Sequence, residues 1–387
     1  MLTLDGAVSF DPAREAECLA SLPSRPAVFL VEPRAELAGA RPVLLRTADL
    51  QRRLRLLLAP PDSRSRRLNL RDYAAVIRFR LTGSAFEQAL AQWQHARALW
   101  PGRYRQRLRL RPAALVKVNL SNAYPRAYGT RRIGLDGLYF GPFATRRAAE
   151  AFLEPFQDLF RIRRCQIKIR RDPAFPGCIY SEMKMCLAPC FAGCTDEEYA
   201  AEVQRVTSFL GSRGLSLSEE LAREREAASA ELDFERAAAL HRRLEKADAV
   251  WRLAPEIVRR VDQLDAVVMQ RAEQEDTVAI FVVRGGRVAD PFLLHFGELA
   301  SQPRSVEQIL RELLEPASLP PSPEQERPRA APSELEDHLA LLSRWFYARP
   351  RLGEIFFAGQ KPAGWPYRRM LRACSRVLAE PRAEPIR

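Results

Sequence analysis

CQIKIRRDPAFPGCIYSEMKMCLAPCFAGC (165–194) holds five of the chain's seven cysteines within 30 residues, spaced C-x12-C-x7-C-x3-C with Cys194 after three more. Thiols this crowded either ligate something or risk oxidising together. The start of the chain, MLTLDGAVSFDPARE, lacks a charged region followed by an apolar core, and no run is long and apolar enough to span a bilayer. The expectation is a cytoplasmic protein with reduced thiols and no membrane partner. Four thiolates suit tetrahedral zinc or a 4Fe–4S cluster. Zinc sites usually draw on two tight cysteine pairs, whereas only Cys186/Cys190 and Cys190/Cys194 are so close here. The long gaps suit ligands spread around a bulkier group. His95, His241, His295 and His338 all lie elsewhere, so any such site is all-cysteine. Buried free thiols, or a disulfide that a reducing compartment disfavours, are the bland alternatives.

Upstream, the helix leading into Cys165 is read from Thr145, a candidate N-cap, with Ala148, Phe152, Phe156 and Leu159 on one face. It follows a turn-rich stretch, GLDGLYFGPF (134–143). Residues 22–58 read as strand, strand, helix, YAAVIRFRL (73–81) as a strand, 84–99 as a helix capped by Ser84, and LVKVNL (115–120) as another strand. Together they predict a small α/β unit over 1–125, then a linker helix and Cys-rich loop over 126–195. Residues 196–255 are helical throughout. Leu217, Leu221 and Ala228 fall on one helix, Ala237, Leu240 and Leu244 on the next, and LDF (232–234) marks an antiparallel reversal. Beyond it, 256–314 returns to strands around a Gly285-Gly286 hairpin turn. A proline-rich linker follows over 315–333 and a C-terminal helical segment over 334–387. The fold class read from this order is α+β multidomain.

The formal charge is +13, and residues 41–111 alone hold 17 arginines against four acids, which accounts for the whole excess. A concentrated positive field attracts polyanions, so DNA is the expected partner. Arg46, Arg52, Arg53 and Arg55 are read along one short helix. Tyr104 sits among Arg103, Arg105 and Arg107, an aromatic interleaved with cations that suits phosphates and an unpaired base. A solvated arginine-rich surface is the alternative.

YFGPF (139–143), RIRRC (161–165), CLAPC (186–190), LDFERAA (232–238) and VRGGRV (283–288) stand in the same order as in the UvrC-type excinuclease family, which the chain resembles over roughly residues 22–350. That resemblance implies a GIY-YIG nuclease domain, a cysteine loop holding a 4Fe–4S cluster (alternative: zinc), a UVR hairpin that binds a UvrB-type partner, and an RNase H-like domain. It makes Cys165, Cys178, Cys186 and Cys190 the cluster ligands and leaves Cys194 outside the pattern. It places partner contacts on Leu232, Phe234, Glu235, Ala237, Ala238 and Leu240, with Phe234 expected to plug the turn.

The resemblance also shows what is replaced. The GIY element falls on Ala27-Val28-Phe29, the YIG element on Val43-Leu44-Leu45, and the metal-binding glutamate on Trp93; Arg53 alone keeps the catalytic arginine. Of the RNase H-like domain the resemblance matches only entry strands, so a β-rich remnant without a helix–hairpin–helix is expected. Phosphodiester cleavage by the usual route needs a metal carboxylate. The expectation is a degenerate, catalytically inactive accessory protein of nucleotide excision repair. Two alternatives stay open: a live nuclease using Glu87 or the acids at 334–337, and a redox-sensing iron–sulfur scaffold.

Overall fold

A computed structural model describes residues 1–37, 39–61, 67–297, 304–315, 332–359 and 364–380. The first unit is β1 (Gly6–Ser9), α1 (Glu15–Ala20), β2 (Ala27–Pro33), β3 (Val43–Thr47), α2 (Leu50–Leu58), β4 (Ala74–Leu81), α3 (Ala85–Leu99) and the single turn α4 (Tyr104–Arg107). Its antiparallel sheet has the order β1-β4-β2-β3. Alternation along β2 separates two cores. Ala27, Phe29 and Val31 face α1 and α2, where Leu50, Leu54, Leu57 and Leu58 close the layer. Val28 and Leu30 face the larger core that contains α3. The helix starts fall where short polar side chains satisfy free N–H groups: Asp49 accepts from Arg52 N and Ser84 from Glu87 N.

β5 (Ala114–Val118), read from sequence with the first unit, pairs instead with β6 (Ala127–Thr130) and β7 (Leu138–Phe143). An apolar LVKV run has no intrinsic choice of partner, and short connections favour the two strands that follow it. The stretch read as turn-rich therefore contains a strand. β8 (Arg259–Arg260) completes the sheet in the order β6-β5-β7-β8. α5 (Arg146–Leu159), capped by Thr145, buries Phe152 and Phe156 beneath it. The single turn α6 (Ile179–Glu182) lies in the Cys loop, and α7 (Asp196–Gly211), α8 (Leu215–Ala230) and α9 (Phe234–Arg252) follow.

The third sheet contains β9 (Ala266–Arg271), β10 (Thr277–Arg284), β11 (Arg287–Val288), β12 (Phe292–His295) and, after the helices α10 (Val306–Leu314) and α11 (Pro332–Phe346), β13 (Glu354–Phe357). The Gly285-Gly286 turn is as expected, with φ of 52° and 77°, the left-handed pair a tight hairpin needs. The segment read as a separate C-terminal helical piece is not separate. β13 pairs with β9, and α12 (Tyr367–Ala379) buries Met370, Ala373 and Val377 against the same sheet. The proline-rich stretch 316–331 lies outside the described residues. α11 knits the units together: Trp345 packs on Phe86 of α3 at 5.5 Å, and Phe86 meets Phe281 of β10 edge-on at 5.1 Å.

Candidate functional site

The Cys loop is tied down at its entry. Arg163, 3% exposed, donates to the carbonyls of Tyr124 (2.7 Å), Cys165 (3.1 Å) and Ile167 (3.0 Å). Its own N–H donates to the Tyr199 hydroxyl (2.9 Å), which donates onward to the Pro125 carbonyl (2.8 Å). Cys165 thereby takes a fixed position on the α5 side. Cys178 precedes α6, and Cys190 sits in a short 3-10 turn flanked by Ala188 and Ala192, both with left-handed φ (57° and 61°). All seven cysteines are free thiols.

Burial pushes the Cys186 thiol up to about 11; the Ala188 N–H, 3.3 Å from Sγ, opposes the shift, and the sulfurs of Cys165, Cys190 and Cys178 add to it. Burial likewise raises Cys190, against the Phe191 N–H and with help from Cys178 and Cys165. Cys194 is raised by burial too, but its charged neighbours are Glu198, Arg171 and Asp196. Cys186 and Cys190 thus each feel the sulfurs of Cys165 and Cys178, whereas Cys194 sits in a different environment. Among the described residues, no group of three or more Cys, His, Asp or Glu stands ready to hold a metal ion. The donor chemistry nonetheless fits a thiolate-bound group. Backbone N–H groups directed at sulfur favour the charged form, and a cation offsets the burial that raises Cys186 and Cys190.

At the positions expected to cut phosphodiesters, Phe29 is fully buried, and Val43 packs against the same core beneath α2. Arg53 is exposed on α2. Trp93 lies in the other core, across the sheet. Its indole N–H donates to Asp337 Oδ2 of α11 (3.2 Å), and its ring meets His338 edge-on at 4.6 Å. The four positions are thus divided between opposite faces of one sheet.

The spare acids are occupied as well. Glu87, 2% exposed, accepts from Gly83 N (3.0 Å) and pairs with Arg80 (3.2 Å). Burial raises its pKa despite both partners. Glu334 pairs with Arg97 (2.9 Å), and Glu336 with Arg105 (3.1 Å) while accepting from Ile133 N (2.8 Å). Asp337, 2% exposed, accepts from the Tyr104 hydroxyl and from the Trp93 N–H. Arg105 Nε approaches its Oδ1 to 2.7 Å as a charge contact off the hydrogen-bond line.

This corrects the reading of the basic face. Tyr104 is 9% exposed and committed to Asp337, so it offers no surface for stacking a base. Arg105 is committed to α11, within the stretch read from sequence as a C-terminal helical segment. Arg46 lies on β3, not on the helix with Arg52, Arg53 and Arg55; those three are exposed, as is Arg103. Burial lowers the Arg46 pKa, and nearby Arg344 of α11 adds to the shift.

α8 and α9 form the expected antiparallel pair, reversing at Leu232 (φ 62°). Leu240, Ala247 and Val250 are buried, and the base packs on α5 through Trp251, edge-on to Phe152 at 6.0 Å. The tip is different. Leu232 is 72% exposed and Phe234 65%, so Phe234 does not plug the turn but projects from it. Glu235 and Ala238 are exposed beside it, and Ala237 is half-buried.

Residues 114–209, from the first residue of β5 into α7, match the family model described as UvrC/Cho excinuclease, middle domain. The chain is 30% identical over 175 residues to the UvrABC system protein C of Ruminiclostridium cellulolyticum, covering 45% of this chain and 28% of that one. It is 28% identical over 300 residues to that of Moorella thermoacetica, covering 76% and 48%. With that of Ruegeria pomeroyi it shares 34% over 151 residues, covering 39% and 24%. The chain therefore spans less than half the length of these relatives. No solved structure matches it. No helix among the described residues is long and apolar enough to cross a membrane.

Proposed function

The chain belongs, through its middle region, to the UvrC-type excinuclease family, and we propose that it binds nucleic acid as an accessory of nucleotide excision repair and does not itself cut. One observation carries this reading: Phe29, Val43 and Trp93, which the resemblance sets at the nuclease positions, lie on opposite faces of a sheet, and the spare acids are each held by arginine. A two-metal or one-metal phosphodiesterase needs carboxylates converging on one open space. Glu87, Glu334, Glu336 and Asp337 are buried or paired, which counts against the live-nuclease alternative.

In this reading Cys165, Cys178, Cys186 and Cys190 hold a 4Fe–4S cluster or zinc. Such a group, when bound, supplies a covalent cross-link for a loop with little regular structure of its own. Arg163 and Tyr199 orient the first ligand, and the Ala188 and Phe191 N–H groups stabilise thiolate. The exposed tip at Leu232 and Phe234 docks a UvrB-type partner, since two large apolar side chains side by side at a helix reversal gain by being covered. The test is binding of damaged duplex and of a purified UvrB-type protein, each measured beside incision. Binding without incision is expected; failure to bind either one refutes the adaptor role.

A further inference from the structure

Arg46 of β3, Arg107 of α4, Arg109 and Arg111 beyond it, Arg131 after β6 and Arg344 of α11 line one cleft of about 560 Å³. Among the described residues none lining it is acidic or aromatic; Gln92, Ser343 and Thr145, the cap of α5, supply its other polar groups. Some arginines outside the cleft are neutralised by ion pairs: Arg71, Arg78, Arg80, Arg97 and Arg105 each pair with a carboxylate. In the cleft Arg107 rests on the Trp100 ring at 4.3 Å, and none of the other five pairs with a carboxylate among the described residues. Arg344 lies close enough to Arg46 to disfavour its charge, as like charges held together must.

Six guanidinium groups around one space repel unless an anion with several charged oxygens enters. We propose that this cleft seats consecutive phosphates of a nucleic-acid strand. A single phosphate would leave most of the six cations uncompensated. The missing aromatic lining means that the backbone is gripped and the bases are not read, so binding there is sequence-independent. α11 contributes at both ends: its first turns hold Arg97 and Arg105 through acids, and its last turn adds Arg344 to the cleft. This inference rests on the nucleic-acid reading above and names where the strand lies.

The full chain is titrated against a labelled oligonucleotide, single-stranded and duplex, by fluorescence anisotropy at roughly 50 and 200 mM salt. R109Q/R111Q/R344Q is compared with R52Q/R53Q/R55Q, and the single variant R344Q guards against misfolding of the triple. The cleft triple variant is expected to bind at least about tenfold more weakly and to lower the slope of log K on log salt by about 2–3, at roughly 0.9 per duplex phosphate contact. R344Q is expected to lower the slope by about 1. Should the cleft variants bind like wild type while the α2 variant fails, this inference falls and the accessory reading stands. Absence of salt-sensitive binding by wild type removes both. Tripolyphosphate is the second probe: if cleft variants lose it but keep the oligonucleotide, the cleft takes free polyphosphate and the strand assignment is wrong.

Discussion

Removing the Asp337 carboxylate should unlock α11 from the first unit. Asp337→Ala leaves the Tyr104 hydroxyl and the Trp93 N–H without an acceptor in a site where Asp337 itself is 2% exposed. Each orphaned buried donor costs about 1–3 kcal/mol. The Arg105 guanidinium loses one counter-ion but keeps Glu336 and some access to water, so its share is discounted. The expected total is about 3–5 kcal/mol, the range for breaking a buried charged pair. Asp337→Asn keeps an acceptor and should lose about 1–2 kcal/mol, and Tyr104→Phe about 1 kcal/mol. Denaturant unfolding followed by tryptophan fluorescence reports the difference, since Trp93 and Trp345 both lie at this junction. Hydrogen exchange along 332–346 then shows whether α11 opens locally. If Asp337→Ala stays within about 0.5 kcal/mol of wild type and α11 keeps its protection, this carboxylate does not hold the helix.

Three further outcomes follow from the same geometry. Burial depresses His338 to about 4, with Arg287 and Arg97 also disfavouring its charge and Glu334 and Asp337 opposing them. The unfolded chain therefore takes up a proton between about pH 6.5 and 4 that the folded chain refuses. Stability should fall by about 2–3 kcal/mol as pH drops through that window, and His338→Gln should flatten the slope of a pH series of unfolding curves. Leu232→Ser and Phe234→Ser should leave stability within about 0.5 kcal/mol, because both side chains are exposed, yet abolish capture by a UvrB-type protein. Cys186→Ser should lower metal content measured after anaerobic purification, whereas Cys194→Ser should not. Equal loss in both would contradict the separation of the fifth thiol.

Much of the fold was legible because local signals agreed with it. Ser84 and Thr145 each precede a periodic run and each caps the expected helix. The Gly285-Gly286 turn and the reversal at Leu232 likewise follow from conformational needs of a few residues. What could not be read depends on contacts distant in sequence. LVKV gives no sign of which strand it will join, and EIFF reaches β9 only after two intervening helices. The tie of Tyr104 to Asp337 spans 233 residues, so an aromatic among arginines was mistaken for a stacking platform. The alternation Arg107-Leu108-Arg109-Leu110-Arg111 was a usable signal for the basic cleft. Arg131 and Arg344 join it only through folding.

Whether the nuclease centre is inert is decided by incubating the purified chain with damaged duplex DNA, Mg²⁺ or Mn²⁺ and a UvrB-type protein. Retained binding with intact strands at all times is the expected result. Metal-dependent incision that Arg53→Ala abolishes would contradict it, because a working centre would then stand on α2 beside the buried Phe29.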